Sequence, residues 1–229
     1  MKRLFFPLLL LTCAHVHAPA QEPYYCTAGG TVLNYLRTNV ENGRTVWNHR
    51  MEVKESEREG EVCCKSSFTD SKGNGIASVE YTAYIGSDGS VTTDLNSTMV
   101  SAIRNFFPKA DIEADYSPTT LPGILQPGDT LANASSVVRV LGKPFNTSVT
   151  ERSVLRTETI ETPAGTFFCT VVTEHKTEKF ILYNRDTVSY TWYARGLGMI
   201  RHDTWKNGRR ETSEVLVSVN PRTLRKPSL

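Results

Sequence analysis

The residue types that do chemistry fall into four groups in this 229-residue chain: cysteines, histidines, spaced carboxylates and clustered aromatics. Of five cysteines, Cys13 lies in an apolar leader and Cys26, Cys63, Cys64 and Cys169 follow it. An even number in an exported chain points to disulfides, with three possible connectivities. A bridge from Cys26 to Cys63 or Cys64 would tie the N-terminal segment to a strand. In the loop-entropy picture, closing a loop of about 35–40 residues stabilises by roughly 3–4 kcal/mol. Cys63 and Cys64 are adjacent on one strand, so their side chains diverge and a bridge between them is disfavoured. Cys169 is then a packed thiol on the face of Phe167 and Val171. A zinc site is not expected: there is no Cys-x-x-Cys pair, and no histidine stands at ligand spacing from a cysteine.

The histidines beyond the leader, His49, His175 and His202, sit on three separate predicted strands. His49 shares a face with Trp47, Met51 and Val53 and reads as a satisfied histidine beside a core. His202 and Asp203 are strand neighbours that point to opposite faces and do not pair. Gly-x-Ser-x-Gly, His-Glu-x-x-His and a phosphate loop are all missing from the sequence. Gly196-Leu197-Gly198 lacks a following helix and reads as a strand corner rather than a dinucleotide fingerprint. Asp111, Glu113 and Asp115 read as a solvated acidic loop, with calcium as the other chemistry open to them. No catalytic residue, metal or cofactor is therefore expected. Tyr190, Trp192, Tyr193 and Trp205 gather near the Gly196/Gly198 corner. They could form the mouth of a hydrophobic ligand site or serve ordinary sheet packing.

What must position these residues is a run of hairpins. Residues 31–40, 44–57, 61–70, 76–86 and 90–95 alternate with period two. They are separated by Asn42-Gly43, Glu59-Gly60, Lys72-Gly73-Asn74-Gly75 and Asp88-Gly89. Turn signals at that spacing make an antiparallel meander. Val79, Tyr81, Ala83 and Ile85 share one face, as do Val62, Cys64, Ser66 and Phe68. One helix is predicted over 97–107: Asn96 or Ser97 caps it, Met99, Val100, Ile103, Phe106 and Phe107 form its apolar face, and Pro108 stops it. Residues 116–129 are rich in proline and glycine and read as a connector. Strands resume at 135–141, 150–161, 166–175, 178–184, 187–195, 198–206 and 210–219, with Val215, Val217 and Val219 as the inner face of the last.

The organisation expected is a signal peptide (1–20), a β-meander with its helix (21–115), the connector (116–129), a second β lobe packed with the first (130–220) and a basic tail (221–229). Lys2 and Arg3, the apolar run Leu4–Leu11 and Ala18-Pro19-Ala20 give the three parts of a signal peptide, with cleavage before Gln21. The apolar run falls short of the ~20 residues a membrane-spanning helix needs. Lipidation at Cys13 is not favoured, because Thr12 precedes it. Cleavage takes two residues from the 26 basic ones and leaves charge balanced against 24 acidic ones. Such a chain releases few counterions, so nucleic acid is not an expected partner.

Three phrases in order, LPGILQPGDTLANAS (121–135), TPAGTFFC (162–169) and WYARGLGMIR (192–201), resemble the TapB-like family of exported Bacteroidota proteins. That family is related to a broader domain-of-unknown-function family of β-rich periplasmic proteins. The resemblance spans most of the chain beyond the leader. It implies an antiparallel, strongly curved, half-barrel or clam-like β-fold, and it transfers no catalytic residue.

Together these readings predict a mainly β protein of meandering hairpins with one short helix, exported to the periplasm or envelope. Its expected role is non-catalytic: binding a hydrophobic small molecule, a lipid, a peptide or an envelope protein on a concave β-surface. A scaffold component of an envelope assembly is the alternative, and a hydrolase with an unrecognised site the remote one.

Overall fold

The computed structural model describes residues 21–56, 58–97, 100, 109 and 111–221. The expected signal peptide, nearly all of the expected helix and residues 222–229 of the basic tail lie outside the described residues. Among the described residues, thirteen strands build the fold. The first five are β1 (Val32–Asn39), β2 (Thr45–Val53), β3 (Glu61–Thr69), β4 (Gly75–Ile85) and β5 (Val91–Asp94). After β6 (Ile112–Ala114), β7 (Pro118–Leu121) and β8 (Ala134–Val140) come two long strands, β9 (Lys143–Thr162) and β10 (Gly165–Phe180). The chain ends with β11 (Tyr183–Ala194), β12 (Gly198–Lys206) and β13 (Arg209–Asn220).

All thirteen form one antiparallel sheet in the order β6-β8-β9-β10-β11-β12-β13-β1-β2-β3-β4-β5-β7. The pairing of β1 with β13 joins the two ends of the chain into that sheet. It is an open sheet, and both edges are short: β6 has three residues and β7 has four. Short edges leave little unpaired backbone to template aggregation.

The local causes are those of a meander. Gly43, Gly73 and Gly89 take positive φ in the predicted turns. In the β3–β4 turn the Asp70 carboxylate also accepts from the backbone N–H groups of Lys72 and Asn74. Asn96 opens the predicted helical turn: its carbonyl accepts from Val100 N–H, and its side chain holds the Asp115 carbonyl at 2.7 Å.

The strand readings need three corrections. β10 runs unbroken through the break expected between 175 and 178, and the turn falls at Ile181-Leu182 instead. Part of the expected connector is strand β7, paired to β5. The buried side chains of β13 are Thr212, Glu214 and Leu216, with Ser213 beside them, rather than the valine set. A bulge opposite Asn34/Tyr35 leaves Val217 unpaired and reverses the parity, so that of the three valines Val219 reaches the core.

Leu33, Val53, Ala83, Ile200 and Leu216 are fully buried and belong to the larger core cluster. A smaller cluster of Tyr24, Leu125, Leu131, Val154 and Val172 lies where the N-terminal segment and the 121–131 segment cross β9 and β10.

Candidate functional site

The sheet curves enough for β2 and β9, six places apart in the strand order, to face one groove of about 650 Å³. Trp47 of β2 and Val149 of β9 stand on opposite sides of it. Between them the groove is walled by Arg37 of β1, Thr212 of β13, His202 and Thr204 of β12, Thr187 and Ser189 of β11, and Glu174, Lys176 and Glu178 of β10. The cross-strand register puts these residues on one face. Ser189 pairs with Thr204, Thr191 with His202, His202 with Glu214 and Arg37 with Glu214. A concave β-surface is therefore present, lined mostly by polar residue types with Val46, Trp47, Leu95, Val149 and Tyr183 among them.

A buried network anchors this wall. The Glu214 carboxylate accepts from His49 Nδ1 at 2.9 Å and from Arg37 Nη1 at 3.3 Å. Arg37 also donates to the hydroxyls of Thr204 and Thr212, at 2.9 and 2.7 Å. Its guanidinium lies 4.6 Å from the centroid of the Trp47 ring. Burial pushes the Glu214 carboxyl up, but the His49 hydrogen bond and the Arg37 charge outweigh it and hold the group below its ordinary range. Burial lowers the Arg37 guanidinium, which stays a cation. His202 bonds Thr191 Oγ1 through Nδ1 and Thr204 Oγ1 through Nε2. Burial, reinforced by Arg37, lowers it to about 4, so it is a neutral imidazole at pH 7.

One line of contacts carries a chemical suggestion. His49 Nδ1 faces Glu214, which can only accept, so Nδ1 carries a proton, and Nε2 lies 3.0 Å from Ser66 Oγ on the other side of the ring. That is the connectivity of a nucleophile, base and carboxylate. The surroundings do not match. Ser66 is buried, and the His49 ring is clamped between Tyr35 and Phe68, with centroids 5.1 and 4.4 Å away. Ser66 lies inside a strand paired on both sides, so the backbone N–H groups around it are engaged in the ladder rather than aimed at an oxyanion.

The four aromatics predicted as a mouth do not converge. Tyr190 and Trp205 pack edge-to-face with centroids 6.0 Å apart, on the sheet face opposite the groove. Trp192 is sealed in the core with its indole N–H donating to Glu158 at 2.6 Å and Arg201 over its ring. Tyr193 points to the other face against Val154 and Val172, and burial lifts its phenol to about 12.

The expected disulfide is not formed: Cys26, Cys63, Cys64 and Cys169 are all free thiols. Cys26 and Cys64 share the larger core cluster, but the Tyr25 hydroxyl takes the polar contact of Cys64 Sγ at 3.3 Å. Cys63 faces the other way, toward Thr82 Oγ1. Burial raises the Cys64 and Cys169 thiols to about 11, which leaves them protonated and unreactive. His175 pairs with Asp186 at 2.7 Å, away from the groove. Asp203, which neighbours His202 in sequence, instead binds Arg201, Arg210 and Ser213. Among the described residues, no group of three or more His, Cys, Asp or Glu is placed to hold a metal ion.

The DUF3108-like family matches residues 30–216, which takes in every residue that walls the groove. The chain belongs to the DUF3108-like family. This is the broader of the two affiliations that the sequence motifs suggest. Two crystal structures share the fold. One is a candidate exported protein with a YmcC-like fold from Bacteroides fragilis, 20% identical, with a TM-score of 0.69. The other is a candidate lipoprotein from Parabacteroides distasonis, 19% identical, also with a TM-score of 0.69. Each alignment covers 87% of this chain and 99% of the other. No curated protein matches the chain significantly. Among the described residues, no helix is long and apolar enough to cross a membrane.

Proposed function

We propose that this DUF3108-like protein is a non-catalytic, exported envelope protein whose concave groove holds a polar ligand. The observation that carries this reading is a pair of unused hydrogen-bonding groups. Ser189 Oγ and Trp47 Nε1 belong to residues that line the groove, are buried, and have no partner among the described residues. A buried donor or acceptor left unpaired costs about 1–3 kcal/mol, a cost that a ligand in the groove would relieve once the Ser189 and Trp47 side chains turn these groups toward it. An acyl chain would strip water from Thr187, Ser189, Thr204 and Thr212 and give nothing back. A ligand carrying hydroxyls or amides matches this wall, so the hydrophobic ligand expected from the aromatics gives way to a polar one. Support for export comes from the signal-peptide pattern, the TapB-like phrases and the two structural neighbours, one a candidate exported protein and one a candidate lipoprotein.

Native mass spectrometry of the protein isolated from its host's envelope tests the reading. The expected result is a bound polar molecule released on denaturation, with no saturable uptake of a fluorescent fatty acid. A ligand-free protein that takes up the fatty acid would overturn it.

A hydrolase is the second reading, carried by the Ser66–His49–Glu214 line. A fluorophosphonate probe separates the two. No labelling is expected from a serine this buried, and Ser66 labelled in the folded protein would replace the binding reading with a catalytic one.

A further inference from the structure

Every neighbouring pair in the sheet is antiparallel, so the turns β8–β9, β10–β11, β12–β13, β1–β2 and β3–β4 all leave it at one rim. Two of these turns are built in an unusual way. The β8–β9 tip presents Leu141, 69% exposed, and the β10–β11 tip presents Ile181 and Leu182, 73% and 97% exposed. The tips are side by side: Phe145 of β9 stacks on Phe180 of β10 at 5.6 Å and lies 6.3 Å from Tyr183 of β11. Leu141 and Ile181 both sit at φ 51, the left-handed region, where a leucine is costly and a β-branched residue is an outlier. The same rim uses the cheaper solution elsewhere, with Gly43 and Asn207-Gly208 in the left-handed region of their turns. Apolar side chains are thus held out into solvent where asparagine or glycine would strain the backbone less. Exposed apolar clusters of this kind mark interaction surfaces.

The charges of the rim say what covers it. Lys143 and Lys179 flank the two tips, and Lys206, Arg209, Arg44 and Lys72 stand exposed on the other turns. None of the six is in an ion pair with a described residue. The acids of the same turns are fewer. Glu41 is exposed, and the Asp70 carboxylate is taken up by its own turn. On the edge side, Asp111 and Glu113 lie beside the β8–β9 tip, where the Asp111 carbonyl accepts from Leu141 N–H and Glu113 is registered opposite Arg139.

We infer that this rim docks on an anionic phospholipid bilayer, with Leu141, Ile181 and Leu182 entering the headgroup–acyl boundary and the flanking lysines meeting lipid phosphates. Apolar tips with a basic surround are the two components of interfacial binding. Long lysine stems reach back to the phosphates from an inserted tip. This docking is independent of what the groove holds.

Flotation of the exported chain with phosphatidylglycerol-containing vesicles tests the inference. The wild type should float with them, far less with phosphatidylcholine vesicles, and less as salt rises. The triple variant Leu141→Asn, Ile181→Asn, Leu182→Ser should lose about tenfold or more in partitioning. Asparagine tolerates the left-handed region better than leucine or isoleucine, so the variant should melt no lower than the wild type. The pair Lys143→Glu, Lys179→Glu should reduce flotation by about tenfold at unchanged melting temperature. The inference is overturned if the wild type does not float, or if the triple variant floats as well as the wild type. It is also overturned if the tips instead drive a concentration-dependent dimer that the triple variant abolishes.

Discussion

On β1 to β4 the inward side chains are Leu33, Met51, Val53, Cys64 and Ala83, all buried in the larger core cluster. On β11 to β13 the face that meets the groove carries Thr187, Ser189, Thr191, His202, Thr204 and Glu214. One sheet therefore presents an apolar wall and a polar wall with the same period-two geometry. The apolar wall needs no further account, since each buried aliphatic side chain contributes about 1.5–3 kcal/mol. The polar wall does. Desolvating a carboxylate, a guanidinium and several hydroxyls is unfavourable, and an ion pair in such a place is often no better than apolar residues of the same volume. A fold under pressure for stability alone has no reason to keep it. The difference locates the working surface on the β11–β13 side.

The largest effect should come from the polar wall. Glu214→Ala leaves Arg37 and His49 without their acceptor and should destabilise by about 3–5 kcal/mol in chemical denaturation. Replacing the set together, Arg37→Met with His49→Leu and Glu214→Leu, should recover most of that loss. A triple variant as unstable as Glu214→Ala would show the wall to be structural after all. On the apolar wall, Leu33→Ala removes a fully buried side chain and should cost about 3 kcal/mol through lost transfer energy and a cavity. It should leave ligand occupancy of the remaining folded protein unchanged. Loss of ligand in that variant would erase the distinction between the walls.

A smaller effect separates the walls by pH. Glu214 is depressed in the folded state, so its contribution is complete above its ordinary value of 4.5 and is lost as pH falls through the lower folded value. His202 acts in the window above that. Its folded value of about 4 lies below its ordinary 6.5, so the unfolded chain takes up the proton first. Stability should therefore decline as pH falls from about 6.5 to about 4. His202→Gln should flatten that limb of the curve and leave the steeper loss at lower pH. An unchanged limb would remove His202 from the explanation.

The sequence was most readable where turn chemistry and side-chain pattern agree. Asn42-Gly43, Lys72-Gly73 and Asp88-Gly89 announce β1 to β5, and the Pro163–Gly165 turn announces the β9–β10 hairpin. It failed where apolar residues occupy a turn. Ile181-Leu182 looks like the interior of a strand, so pattern alone misplaces the end of β10. The groove was hidden for a related reason. Thr187, Ser189 and Thr191 alternate with Val188, Tyr190 and Trp192, and pattern alone directs attention to the aromatic set as the chemically interesting one. Val188 is exposed, whereas Thr187, Ser189 and Thr191 are buried. The one available signal was Glu214, a lone carboxylate at a buried parity just before Val-Leu-Val. Its partners His49 and Arg37 lie 165 and 177 residues away in sequence. Only the pairing of β13 with β1 brings the three together.

The smallest expected effect is also the one aimed most directly at the groove. Ser189 is buried with a hydroxyl that has no partner among the described residues, and its neighbours on β10 and β12 are Glu174 and Thr204. Ser189→Ala removes the orphan oxygen and adds no atom, so the buried site is not overpacked. In the ligand-free protein it should therefore stabilise, by about 1 kcal/mol, since an unsatisfied buried group disappears. In protein isolated with its ligand it should do the reverse and lower occupancy, because the hydroxyl that the ligand would bond has gone. Thermal melts of stripped protein and native mass spectrometry of freshly isolated protein read the two signs separately. A gain in stability with occupancy intact would mean that the ligand does not use this wall. A loss of stability in stripped protein would mean that Ser189 already has a partner such as an ordered water, and the argument from its orphan hydroxyl would fall.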